Sequence, residues 1–482
     1  MEKGEITAFL SLIFVLMISF VTAILESAFV QAEKNQARLD MDRAVYSVFG
    51  EYQKELLEEY GIFAVEGSYE TGNFSEKQLI DRMHYYGASG VWPEVEGIQF
   101  LTDQNGQAFR EGAVKYMEDL YGISIIQGLG ALAEKWEQQE ITGEQTKDES
   151  NQSLEELDDM LNQNQSSLPM ENNPLPHIEQ LKKSGLISLV FPKEKQVSQK
   201  QIRGEEQASS RALRVGRGTF SVRSDVDEIT KKLLFHEYIL KKFGNAVEEE
   251  KEKRSLAYEV EYLLEGKTSD QENLEAVLNK LLLIRMGLNF VYLQTDTAKQ
   301  AEAGAMALAL ATAVALPMLE PVVKQVLLAA WAFGESVMDL RSLMSGKRVA
   351  LVKTAENWQL SLSSLMKMGT SEDTQEGADV TDGWDYKSYL RMLLFLENGD
   401  HLTMRTLDRV EQNLIYEKGL AFFRADACVT KLRLQNLVQI RNGSTAVQKN
   451  MIPSRCEIQG SAFSNSPGST CNQNRFFIHL YC

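Results

Sequence analysis

"KGEITAFLSLIFVLMISFVTAILESA", Lys3 to Ala28, holds twenty consecutive residues without a charge, Ile6 to Leu25. A helix of about 20 apolar residues, rising 1.5 Å per residue, crosses the hydrocarbon core of a bilayer. The polar content of this run is limited to Thr7, Ser11, Ser19 and Thr22. A cleaved secretory signal fits poorly, because its apolar stretch usually runs about 7 to 15 residues behind a basic start. Here Glu2 and Glu5 offset Lys3 and the terminal amine. Val21-Thr22-Ala23 still offers the small residues that a signal peptidase accepts, and Gly4 stands where a prepilin leader would be cut, with Phe9 in place of the usual glutamate. The expectation is a retained membrane anchor over 1–25. Its orientation stays open: Lys3 precedes the span and Lys34, Arg38 and Arg43 follow it, but long domains translocate largely regardless of charge.

Beyond the span, Ala37, Met41, Ala44, Val45, Val48, Phe49, Tyr52, Leu56 and Tyr60 recur at steps of three and four, one face of a continuing helix. Gly61 is a natural stop and Gly50 an earlier bend, since glycine tolerates the left-handed conformation that ends helices. Residues 26–138 are thus expected to form a stalk helix and membrane-proximal region, with a second helix from Ala108 to about Gln138. The next stretch, 139–173, is rich in Glu, Gln, Asn and Ser and has no aromatic residue. Such a composition buries too little apolar area to offset the entropy of ordering, which predicts a disordered polar insertion.

Residues 174–224 read as a partly ordered linker. Within it "RALRVGRGTFSVR" carries Arg211, Arg214, Arg217 and Arg223 and no acid, suited to acidic lipid, a teichoic-type polymer or nucleic acid, or simply to a solvated loop. The main helical domain is expected over 225–441. There Gly266 sits where a helix should end, and Ser269 with Glu272 has capping-box spacing for the next. Gly266-Lys267-Thr268 is not a phosphate loop, because Glu261 stands where its first glycine belongs. The alanine-rich Ala303–Leu319 is too short and too interrupted by Pro317 for a second span and reads as a core helix. Val323, Val326, Leu327, Ala330, Trp331, Gly334, Val337 and Met338 make a broad apolar face.

Glu335 and Asp339 lie four apart beside Arg341, a spacing open to paired carboxylates or to structural ion pairs. Asp379, Asp382 and Asp385 miss calcium-loop spacing, because Ala378 and Val380 occupy oxygen positions. "TKLRLQ", Thr430 to Gln435, alternates like a strand. A flexible tail, 442–482, holds Cys456, Cys471 and Cys482, while Cys428 precedes it. Exported, these cysteines can pair in three ways; inside a cell they stay thiols.

The net charge of −18, from 68 acidic and 50 basic residues in a chain of 482, opposes a nucleic-acid partner. The histidines His84, His177, His236, His401 and His479 are scattered, and no nucleophile elbow, kinase set or dinucleotide fingerprint is present. No catalytic residue, metal ligand or cofactor is assigned, and a non-enzyme is expected. The fold class expected is mainly α: a transmembrane helix continuing into a stalk, then a helical extracytoplasmic domain with minor β elements.

"KGEITAFLSLI", "LESAFVQAEKNQARLDMDRAVYSVFGEYQKELLEEYGIFAV", "LAYEVEYLLEGKTSDQENL", "WAFGESVMDLRSLMSGK" and "DYKSYLRMLLFLENG" together resemble a domain-of-unknown-function family of clostridial-type membrane proteins encoded near tight-adherence (Tad/Flp) pilus genes. The first sixty residues are similar in layout to TadE- and TadG-type minor pilins, with Glu26 as the acid at the outer edge of the span. The resemblance implies a single-pass protein whose main domain lies outside the membrane. Its partners would be the lipid bilayer and pilus or secretion-system membrane proteins, in an oligomeric state left open. A membrane-tethered envelope sensor is the alternative, and an exported hydrolase using Glu335 and Asp339 a further one.

Overall fold

Helix α1 runs without interruption from Glu2 to Phe49, so the apolar span and the stalk are one rod. The computed structural model describes residues 2–88, 91–122, 130–171, 173–202, 207–222, 226–250, 253–438, 454–462 and 476–481. The fold is mainly α with a small antiparallel sheet, and the chain divides into two units: 1–119 with 212–223 and 418–482, and 120–211 with 224–417.

In the first unit the end of α1 becomes core. Met41, Ala44, Val45, Val48 and Phe49 pack with Leu79 and Met83 of α3 (Glu76–Tyr85), with Val91, Val95, Ile98 and Phe100 of β2 (Val91–Phe100), and with Val429, Leu432 and Leu434 of β3 (Cys428–Val438). The helical stripe read from the sequence is therefore the face that docks on the sheet. A turn at Gly50 ends α1, and α2 (Lys54–Tyr60) closes on Gly61, whose φ of 69° puts it in the left-handed region. A Cβ there would lie 2.1 Å from the Tyr116 ring, a second reason for glycine.

Strand β3 is the sheet's centre. Val429 pairs with both Val65 of β1 (Val65–Glu66) and Phe100 of β2, which puts those strands on opposite edges. Past Asn442, where an unordered tail is expected, β4 (Ser454–Ala462) pairs with β3 and β5 (Phe476–Tyr481) with β4. The expected Thr430–Gln435 strand lies within β3. Its partner β2 was not anticipated: a proline, Pro93, and a register shift between Val95 and Gly97 break the alternation. The segment 212–222 also belongs to this unit. Ile98 and Arg217 exchange backbone hydrogen bonds, and the Thr219 and Ser221 carbonyls accept from Arg433 and Lys431. Helix α4 (Asp103–Tyr121) follows β2 and begins regularly only after left-handed Gln104, Asn105 and Gly106.

The second unit is built on two core helices, α10 (Asp270–Thr295) and α12 (Glu320–Met344). Every residue of α12 from Val326 to Leu340 is buried, so the broad face expected from the sequence is the whole circumference. Helix α11 (Thr297–Ala313) packs on it through one face, burying Ala303, Ala307, Leu310 and Ala311 and leaving Leu308 exposed, so the expected buried core helix is a one-sided surface helix. The α9–α10 turn follows the sequence reading: Gly266 ends α9 (Glu259–Glu265) at φ 64°, and Ser269 caps α10, its side chain accepting from the Glu272 amide.

Two expectations are corrected. Residues 139–173 are not a disordered insertion: helix α5 (Gly130–Gln163) runs through most of them and packs on α10. Its buried positions, Trp136, Gln139, Gly143, Thr146, Ser150 and Leu157, step by three, four or seven. A Cβ on Gly287 of α10 would stand 2.7 Å from the Gly143 Cα, so backbone meets backbone at this crossing. Small residues let α5 gain close contact instead of large apolar area, and a composition argument cannot see that. The linker 174–224 is likewise more ordered than expected. It contributes α6 (Leu175–Lys183) and α7 (Leu186–Val190), which pack on α12. Helices α8 (Glu228–Lys242), α13 (Tyr386–Leu396) and α14 (Gly399–Lys418) complete the described α-helices, and the expected domain end at 441 falls beyond the unit's own end at 417. Long-range pairing of β3 with β2 draws the chain after 417 into the first unit.

Candidate functional site

Two features carry chemistry beyond ordinary packing. The first is the exposed half of α1. Residues Ile6–Leu25 lie on the surface all round, with Phe14 at 64% and Phe20 at 67% exposure. The apolar window of this helix has a mean hydropathy of 2.7 and none of it is buried by the protein. Water is a poor solvent for such a surface: at about 25 cal/mol per Å² its exposure would cost tens of kcal/mol. The hydroxyls of Ser11 and Thr22 donate to the Ala8 and Ile18 carbonyls of their own helix, so they present no unsatisfied donor outward. The helix is long and apolar enough to cross a membrane. Helix α10 passes the same length and hydropathy test at 1.4, but 56% of its window is buried and it carries Asp270 and Arg285 inside the fold.

The second feature is a charge cluster inside the second unit. Glu335 and Asp339 project from α12 one turn apart, and both side chains are fully buried. Lys353 Nζ lies 2.5 Å from Glu335 Oε1 and 2.6 Å from Asp339 Oδ1. Arg285 of α10 donates through Nε to Asp339 Oδ2 at 3.0 Å and approaches it through its other nitrogen at 2.9 Å. Asn289 donates to the same oxygen at 3.0 Å. The remaining Arg285 nitrogen donates to the Tyr389 hydroxyl and the Leu351 carbonyl. Glu335 is held from another side: the Gln359 amide lies 3.0 Å from Oε1 and 3.2 Å from Oε2, and the Leu360 amide donates to Oε2 at 2.8 Å.

Two carboxylates face two cations, which compensates the burial of all four. The carboxylates nevertheless differ. Burial raises the Glu335 carboxyl above its ordinary range despite the opposing pull of Lys353. Burial acts on Asp339 in the same sense, but Arg285 and Lys353 outweigh it and hold that carboxyl low. The sequence pointed to Glu335 and Asp339 but not to their partners. Arg285 left a signal, one charge amid "LLLIRMGLNF", while Lys353 left none.

Other residues singled out by the sequence take structural posts. Arg341 forms a two-pronged pair with Asp373 and donates to the Leu189 carbonyl. Arg348 pairs with Asp379, and Asp385 caps α13 by accepting from Ser388. Among the arginines of the basic stretch, Arg211 is bidentate to Glu411, Arg214 meets Asp426 and Arg217 pairs with Glu76. Arg211 and Arg214 offset buried acids and Arg217 a surface one, so these three do not form a bare basic loop; Arg223 lies outside the described residues. Cys428 is buried at the start of β3, its Sγ against the Arg424 carbonyl. Cys471, Cys482 and the side chain of Cys456 lie outside the described residues, and so does the disulfide reading.

His236, sequestered on α8, is pushed down to about 3 by burial, with Lys232 adding to the shift, and so stays neutral. Glu261 on α9 is buried with no cation against it in the hydrogen-bond pattern: it accepts from the Ala246 amide and the Tyr386 hydroxyl. Burial pushes its carboxyl up to about 7. Among the described residues no group of three or more His, Cys, Asp or Glu side chains is arranged to hold a metal.

No curated protein and no solved structure matches the chain. A family model, described as a family of unknown function (DUF5702), matches residues 164–440, more than half the chain, from the end of α5 to the end of β3. The chain therefore belongs to the DUF5702 family.

Proposed function

We propose that this protein is a single-pass, membrane-anchored structural or assembly component that acts by protein–protein contacts outside the cytoplasmic membrane. The single observation that supports the reading is α1: its first half is bare and apolar, and its last turns form the core of a folded unit. A bilayer covers the former without unfolding the latter. The resemblance of the N-terminal layout to TadE- and TadG-type minor pilins extends the proposal to a Tad/Flp-type pilus or related secretion apparatus. Nothing in the family's description bears on that finer assignment. The acids singled out for a hydrolase are fully buried, which favours a non-enzymatic role.

The test is deletion of the gene in its native host, with complementation by the full chain. Loss and recovery of surface filaments is the expected result. Normal piliation with a membrane-retained protein would remove the pilus role and leave the anchor. Protease accessibility on intact spheroplasts, with N-terminal sequencing, reads sidedness and cleavage together.

A further inference from the structure

The Lys353–Glu335–Asp339 cluster places one amine against two carboxyls in the interior of the second unit. Lys353 Nζ touches both carboxyls at 2.5 Å and 2.6 Å in a site closed to water, with Lys353 itself 1% exposed. An amine held against a carboxyl in a dry cavity is the arrangement in which an amide can form, because proximity replaces activation and the product leaves fewer buried charges.

We propose that Lys353 and Glu335 join through a side-chain amide, a covalent tie between α12 and the segment after it, eighteen residues further along the chain. The C–N bond forms between Lys353 Nζ and Glu335 Cδ, and the Cδ–Oε1 bond breaks. Lys353 begins as an ammonium with three protons: one stays on the amide nitrogen, and two leave with Oε1 as water. Glu335 begins as a carboxylate, so charge and atoms balance without an oxidant or co-reactant. Asp339 Oδ1 takes the first ammonium proton, freeing the lone pair for attack, and passes it to the departing oxygen. Oε2 is the oxygen that stays. It already accepts from the Leu360 amide at 2.8 Å and shares the Gln359 amide with Oε1, so a backbone donor stands where negative charge develops as the carbon turns tetrahedral.

Charge bookkeeping selects Glu335 over Asp339 as the acyl partner. Joining Lys353 to Glu335 removes one cation and one anion and leaves Arg285 paired with Asp339. Joining it to Asp339 would strip the fully buried Arg285 of its counter-ion and strand the Glu335 charge, which is costly in a low-dielectric interior.

The test needs only the full-length wild-type protein, purified from membranes, unfolded and digested with trypsin. Trypsin cuts after Lys353 only if its amine is free. The expected product is a branched species joining 325–341 to 349–367, lighter than the two peptides together by one water, with fragmentation placing the branch at Glu335. Recovery of the linear peptide 349–353 in full yield would overturn the proposal, and a branch mapped to Asp339 would overturn the choice of partner. Lys353→Arg keeps the cation and must give only linear peptides. Asp339→Asn, purified as folded protein, should lower the rate of crosslinking about 100-fold or more; an unchanged rate would remove Asp339 as the proton relay.

Discussion

Helices α1 and α10 both pass as membrane spans on length and hydropathy, yet the fold treats them oppositely. Ile6–Leu25 of α1 has no charge and no protein cover, whereas α10 buries Asp270, Arg285 and Asn289 against its neighbours. A hydropathy window averages over the residue that matters. One arginine in "LLLIRMGLNF" demands a carboxylate, and the carboxylate demands a second helix, so the charge itself commits α10 to a protein interior. The absence of such a demand leaves α1 free to face lipid.

The contrast breaks first at α1. Placing arginine at both Leu12 and Leu16 should cost about 5–7 kcal/mol of insertion, at roughly 2.5–3.5 each near the bilayer centre. The expected outcome is loss of carbonate-resistant membrane association with no change in the melting of the helical body. Retention in the membrane would refute the anchor.

Arg285→Met makes the converse change inside α10. It removes the arginine from Asp339, leaving Asn289 as the donor to that oxygen, and should destabilise the second unit by about 3–5 kcal/mol in denaturant unfolding. Membrane association should be unaffected.

Glu261 tests whether the interior accepts an acid that has no cationic partner. Its folded value of about 7 lies above the ordinary 4.5, so the folded state holds the proton more tightly. The stability it contributes is fully present below about pH 4.5 and is lost as pH rises through 7, by about 3 kcal/mol at most. Asp270 nearby pushes in the same direction, and the Ala246 amide and Tyr386 hydroxyl oppose it. Glu261→Gln should flatten this part of the stability profile measured between pH 5 and pH 8. An unchanged slope would assign it to other groups.

The mildest change probes the seam of small residues. Gly287→Val pushes side-chain atoms into the α5 backbone at Gly143 and should cost about 1–3 kcal/mol, with earlier exchange of α5 amides. Unaltered exchange would mean that α5 does not depend on this crossing.

The legible parts of the fold were those written in local pattern. The α1 span, the stripe from Ala37 to Phe49, the Gly61 and Gly266 stops, the Ser269 cap and the Thr430–Gln435 strand all follow from neighbours a few residues apart. What escaped was decided at distance. Between Trp136 and Leu157, helix α5 buries Gln139, Gly143, Thr146 and Ser150, small or polar residues whose value appears only when α10 lies alongside. Strand β2 needs β3, more than 300 residues later, to define its register. In the buried cluster, two acids were visible by their spacing. Lys353 was not, because nothing in "VALVK" tells that its amine turns inward.

One rod of 48 residues joins the apolar surface to the sheet, about 70 Å at 1.5 Å per residue. No glycine or proline interrupts it between Ile6 and Phe49, so it has no built-in joint. Because its final turns are wedged among Val95, Ile98 and Leu432, any tilt or rotation imposed at the apolar end arrives as torque on the strands. Under the proposed anchoring, the first unit is the handle of a lever, geared to movement in the bilayer rather than insulated from it.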